Sequence, residues 1–253
     1  MQKQLALTFA GLATIALTGF AKPAQANVTF GTSHDTNCVA GNTAEACSLQ
    51  SLLNYYTTSG PQIDTTQDTG YELFTNTGNS ATSSFLFSIA GFAPDNTFGL
   101  YKASDPNTKI ELFGGGTAGG TESEVSFLAN GAVQVGSNIV NNFGSDFGFY
   151  LGGPGGTFFS QNALNGGNQH SAIYQGNGQT KLNVGGKEID FDPGKYLVAF
   201  EDVSFLSSDK DYNDLVVVID GVRSKDVPEP AIMLGLAAVA GGAVATRRRH
   251  KQS

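Results

Sequence analysis

The chain has 253 residues, 40% of them hydrophobic and only 14% charged, with 33 glycines and no tryptophan. The net charge of −8 hides an asymmetry: residues 27–227 hold eight lysines and arginines against twenty-one acids, a net of −13, and the other six cations sit at the two ends. So acidic a centre repels phosphate backbones and argues against nucleic-acid binding. The glycines lack the three-residue period of a fibre, and the length suits one large or two small domains with a real core.

In chain order, Lys3 precedes the apolar run Leu5–Phe20, and Ala24-Gln25-Ala26 follows. A basic start, an apolar stretch and a small-x-small site are the grammar of a secretory signal peptide over residues 1–26, with cleavage expected before Asn27. Cys38 and Cys47 are the only cysteines. In an exported protein such a pair is expected to form a disulfide, with free thiols or a metal the other readings. Leu49, Leu52, Leu53 and Tyr56 then recur at the spacing of one helical face, predicting the single short helix of the mature chain. Thr43 or Asn42 is the expected cap, with Glu45 in the first turn, and Gly60-Pro61 the expected stop.

From Gly70 onward, short β-prone runs alternate with Gly, Asn, Ser and Thr turns. Strands are predicted at residues 71–75, 84–90, 97–103, 109–113, 124–128, 132–135, 146–151, 172–174, 195–201 and 215–220. Turn-separated strands without helical crossovers predict a mainly β fold, an antiparallel β-sandwich or jelly roll. Phe85, Phe87 and Ile89 alternate with Ser84, Leu86 and Ser88, marking one apolar face. Tyr196–Phe200 and Leu215–Ile219 are apolar on both faces, as central buried strands are. A weak internal echo links residues 96–101 (NTFGLY) with residues 145–150 (SDFGFY). The glycine- and asparagine-rich stretch 152–186 reads either as one long loop or as irregular edge strands. The expected organisation is an N-terminal β-rich part at 27–140 and a second β domain at 141–226.

One constellation carries chemistry. Glu201 and Asp202 end one buried strand, and Asp209, Asp211, Asn213 and Asp214 open the next. Paired as a hairpin, these five carboxylates and one amide would converge and repel one another. A divalent cation relieves that repulsion, and Ca2+ suits an all-oxygen set in flexible geometry, whereas zinc or copper would want His or Cys. Asp209, Asp211 and Asn213 match the first three ligand positions of an EF-hand loop. The match stops at Asp214, where glycine is needed, and at Val216–Val218, a β run in place of a helix. The alternative is a set of Asx turns in a solvated loop. Asp190, Asp192 and Asp146 are lower-ranked ligand candidates, the first two equally suited to starting a turn before Pro193-Gly194.

The same segment resembles a known family. Phe200-Glu201-Asp202, a short loop, Asp209-Lys210-Asp211-Tyr212-Asn213-Asp214 and Leu215-Val216-Val217 look like the end of the domain-of-unknown-function family 4114 of bacterial surface proteins, and Phe147–Leu151 is similar to its earlier strand. The resemblance runs over about residues 141–222. Ser207-Ser208 depart from that family's usual glycine pair, which leaves the acids in place and alters the turn. The resemblance implies a β-rich fold and calcium, and no reaction.

The tail carries a second resemblance. Val227-Pro228-Glu229-Pro230 leads into fifteen small or apolar residues, Ala231–Ala245, and then Arg247-Arg248-Arg249. Motif, short helix and arginine cluster over 227–253 resemble the PEP-CTERM sorting signal. A fifteen-residue helix spans ~22 Å, short of a ~30 Å hydrocarbon core, so insertion would need local thinning. The cluster would stay cytoplasmic by the positive-inside rule. The resemblance implies exosortase-type processing after transient inner-membrane insertion, in a Gram-negative bacterium that builds exopolysaccharide and biofilm matrix.

Catalytic patterns are missing. His34 and His170 are the only histidines before the tail, and no nucleophile elbow, zinc-protease motif or phosphate loop is present. The expectation is an exported, non-enzymatic, calcium-stabilised sandwich of the cell surface or exopolysaccharide matrix, with a structural or adhesive role. A lectin binding glycan through exposed tyrosines such as Tyr150 and Tyr174, or through calcium itself, is the second reading, and a surface glycosidase the third.

Overall fold

The computed structural model describes residues 30, 47–87 and 93–225. The expected signal peptide, His34, Cys38, the caps Thr43 and Asn42, and the sorting tail lie outside the described residues, as do the side chains of the Phe85, Phe87 and Ile89 face. The chain opens with helix α1 (Leu49–Tyr56), β1 (Thr57–Ser59), β2 (Phe74–Asn76), β3 (Ser80–Phe87), β4 (Thr97–Lys102) and β5 (Asp105–Phe113). There follow β6 (Glu122–Phe127), β7 (Val133–Val135), β8 (Asn138–Val140), β9 (Asp146–Gly153) and β10 (Gly156–Phe159). After a short 3-10 turn at Asn162–Asn165 come β11 (Ser171–Gln175), β12 (Lys181–Val184), β13 (Lys187–Asp190), β14 (Tyr196–Phe200), β15 (Leu215–Asp220) and β16 (Val222–Ser224).

The fold is mainly β, and every strand pair is antiparallel. A sheet in the order β16-β2-β9-β4-β5, with β10 added on β9, faces a seven-stranded sheet in the order β11-β14-β15-β3-β6-β7-β8. A three-stranded sheet, β1-β12-β13, and α1 form a further layer. Strands from both sides of residue 140 interleave in both large sheets, β9 between β2 and β4, so the described residues on either side of residue 140 contribute to the same core.

Successive strand residues face opposite ways, which explains the apolar runs that do not alternate. Tyr196, Val198 and Phe200 of β14 and Leu215, Val217 and Ile219 of β15 fill the core between the two large sheets. Leu197, Ala199, Val216 and Val218 fill a second core under α1 and β12. Each fully buried Leu or Phe contributes ~1.5–3 kcal/mol, so a strand buried on both faces is a major source of stability.

Helix α1 spans the predicted residues, and its cap is Ser48 in place of the expected Thr43 or Asn42: the Ser48 side chain accepts from Ser51 N–H at 3.2 Å. The chain leaves α1 directly into β1, ahead of Gly60. Cys47, buried at the helix entry, is disulfide-bonded.

The internal echo proves to be one strand pair. β4 and β9 lie side by side with Gly99 opposite Tyr150 and Tyr101 opposite Gly148. A Cβ on Gly148 would sit 2.3 Å from the Tyr101 hydroxyl, and one on Gly99 2.8 Å from the Tyr150 ring. Each glycine is therefore the space its partner's ring occupies. The stretch 152–186 takes the second of its two readings, carrying β10, β11 and β12 with turns between.

Candidate metal centre

β14 and β15 pair from Tyr196↔Ile219 to Phe200↔Leu215, so the acids before and after them meet at one end of the hairpin. Carboxylate oxygens of Glu201, Asp209 and Asp211 all lie within 4.8 Å of one another. Glu201 and Asp211 are each 1% exposed, and Asp209 is exposed.

Local backbone geometry builds this cluster. Glu201 N–H donates to the carbonyl of His170 at 3.0 Å, fixing the strand end. Its carboxylate accepts from the Ser208 hydroxyl and from Tyr212 N–H. Lys210 and Tyr212 adopt left-handed backbone, with φ of 61° and 56°, a conformation that costs side-chain-bearing residues ~1–2 kcal/mol. Tyr212 is held there by full burial of its ring and by donating its hydroxyl to the carbonyl of Gln169 at 3.0 Å. Phe30 packs edge-on against the same ring at 5.5 Å.

The other expected ligands have their own partners. Period-two alternation sends Glu201 toward the second core and Asp202 toward the first. Asp202 accepts from the side-chain amide of Asn96 at 2.8 Å, and its N–H donates to Asp214 at 2.8 Å. Asn213 donates to Asp211 and to the carbonyl of Cys47, tying the acidic loop to the helix entry. Asp190 and Asp192 stand apart, paired with Lys181 at 3.6 Å and Lys195 at 2.8 Å. Asp192 also accepts Lys195 N–H and so starts the turn. Asp146 pairs with Lys225.

The electrostatics of the loop are one-sided. No lysine or arginine forms an ion pair with Glu201, Asp202, Asp209 or Asp211 among the described residues. The nearest cation in sequence, Lys210, lays its ammonium 4.2 Å above the Phe205 ring instead. Burial first, then the charges of Asp209 and Glu201, push the Asp211 carboxyl up to about 8. Burial also raises Glu201 and, with Glu201 and Asp202 beside it, Asp214. Ionising these groups together is disfavoured, and a bound cation would offset that repulsion. The three converging carboxylates offer oxygen, the donor type that Ca2+ takes, and among the described residues the cluster includes none of the His or Cys ligands that zinc and copper favour.

Three participants were not visible as such in the sequence. Ser208 and Tyr212 support Glu201 from within the loop, and the packing role of Tyr212 depends on a core formed by α1 and β12. Asn96 lies 106 residues from Asp202, and no local pattern marks it.

The tyrosines expected to bind sugar are corrected by the packing. Tyr174 is 2% exposed and donates its hydroxyl to the carbonyl of Thr65, and Tyr150 is 7% exposed beneath Lys109. Both are needed where they are, in the second core and over Gly99. His170 is buried, stacked on Phe158 at 4.1 Å, and burial lowers its pKa.

No curated protein matches the chain. Residues 118–222, which contain the entire acidic hairpin and begin earlier than the sequence resemblance suggested, match the family model described as Domain of unknown function (DUF4114).

Proposed function

We propose that the chain is an exported, non-enzymatic protein of the cell surface or exopolysaccharide matrix whose β-sandwich is stabilised by calcium at the β14–β15 hairpin. The observation that carries the metal reading is the convergence of Glu201, Asp209 and Asp211 within 4.8 Å, two of them buried and none ion-paired among the described residues. Asp202, Asn213 and Asp214 brace the loop and complete the oxygen-rich surroundings. The basic-apolar leader and the Pro228-Glu229-Pro230 tail with Arg247, Arg248 and Arg249 support export and handling by exosortase-type machinery.

Binding to the native state alone raises stability by mass action, ~2.7 kcal/mol at a hundredfold excess over Kd. For a domain of this size that is a rise in Tm of roughly 5–10 °C. The test is a thermal melt of the full chain in chelator and in micromolar to millimolar calcium. Calcium is expected to raise Tm, and Asp211→Asn to remove the rise. A Tm indifferent to calcium rejects the metal reading. The sorting reading is tested separately by mass spectrometry of the surface-exposed protein, in which an intact tail would exclude processing.

A further inference from the structure

At the edge of the sandwich, where β3 pairs β6 through Ser80↔Ser126, lies an open groove of about 710 Å3. Its size falls within the usual range for small-molecule sites, ~300–1,000 Å3. Asn76, Asn79, Ser80, Glu124, Ser126 and Phe127 contribute to its lining. The side chains of Asn79, Ser80, Glu124 and Ser126 make no hydrogen bond to protein among the described residues. The groove is preformed by backbone. Phe127 N–H donates to the carbonyl of Asn79 at 2.7 Å and Gly144 N–H to that of Gly131 at 2.8 Å, locking three turns together. The Phe127 ring is itself fixed by stacking on Phe147 at 5.4 Å.

Gly78 adds an independent point. It lines the groove, its φ is outside the left-handed region, and nothing lies within 4 Å of where its Cβ would stand. Neither backbone nor packing requires glycine there, so a side chain can be added at the groove lining without a clash.

We infer that this groove binds a segment of a neutral polysaccharide. Amide and hydroxyl groups offer both donors and acceptors to sugar hydroxyls, and Phe127 offers an apolar surface to the C–H face of a ring. Glu124 is the only charged residue of the main groove, which leaves no cation to hold an anionic ligand. The inference needs no metal, and takes from the proposed matrix role only the availability of glycan.

The test is calorimetric titration of the full chain with short neutral hexo-oligosaccharides, in calcium and in chelator. Binding in the millimolar range or tighter is expected, equal in both buffers. Gly78→Leu, which adds bulk at the groove lining, and Asn79→Ala are expected to weaken it about tenfold or more with Tm unchanged. Absence of binding overturns the inference, as does binding undiminished in both variants or a preference for uronate-containing chains. Binding lost in chelator would assign sugar to the acidic hairpin and overturn the groove. Calcium-independent binding together with a calcium-insensitive Tm would leave the groove standing and reject only the metal reading.

Discussion

Burying Asp211 beside Glu201 is unfavourable unless something neutralises them, and this determines how stability should respond to pH. An Asp211 carboxyl raised to about 8 keeps its proton across a range in which the unfolded chain, at the ordinary 3.8, has lost it. The native state then binds more protons than the unfolded one, so metal-free stability is greatest at low pH and falls as pH rises from about 4 to about 8. Glu201 and Asp214 shift in the same direction and reinforce the trend. Calcium must displace those protons, so its effect on Tm should be larger at pH 8 than at pH 5. Melts at both pH values, with calcium and with chelator, check the sign. Metal-free Asp211→Asn should melt above the parent at pH 8, since it removes a buried like charge. Tyr212 is the other decisive residue. Tyr212→Phe loses one hydrogen bond and should cost ~1 kcal/mol, whereas Tyr212→Ala empties a core site and should cost ~3–5 kcal/mol by denaturant unfolding.

The strand pair β4 and β9 shows how a sequence repeat becomes an element of packing. Two copies of a Phe-Gly-apolar-Tyr pattern lie antiparallel, and in that register each tyrosine falls on the other copy's glycine. Gly148→Ala would drive a methyl into the Tyr101 ring and should destabilise by ~1–3 kcal/mol. Gly78→Ala, with open space at its Cβ, should change stability little. Equilibrium unfolding of the two variants separates a glycine required by close approach from one that is not. The β14–β15 hairpin follows the same logic of register. Because neighbouring strand residues face opposite ways, Glu201 and Asp202 diverge, and the tight cluster forms from Glu201, Asp209 and Asp211.

Over the whole molecule, β14 and β15 form one wall of both cores. Neither core can lose those strands without the other being opened, so unfolding should be a single cooperative transition. Far-ultraviolet and tyrosine near-ultraviolet signals are expected to coincide, and two separated transitions would contradict a shared wall. The same arrangement would spread any stabilisation at the hairpin end to the entire sandwich. Asn213 extends it further, to Cys47 and α1, through the Cys47 carbonyl.

Local chemistry was legible in the amino-acid order. The spacing of Leu49, Leu52, Leu53 and Tyr56 marked α1, and β-prone runs marked ten of the strands. The two-faced apolar runs marked β14 and β15 as central, because a strand buried on both sides must be apolar throughout. Short strands such as β1, β10 and β12 were not legible, since three or four residues are too few for a period to stand out from chance and are ordered by their neighbours. The acidic residues could be recognised as converging, because a hairpin brings the ends of two adjacent strands together. Which of them converge depended on the side of the sheet each occupies, on the left-handed backbone at Lys210 and Tyr212, and on partners as distant as Asn96. Tyr150 and Tyr174 looked available in the sequence and are buried in the fold, because exposure is set by the layers packed above a residue and not by the residue itself.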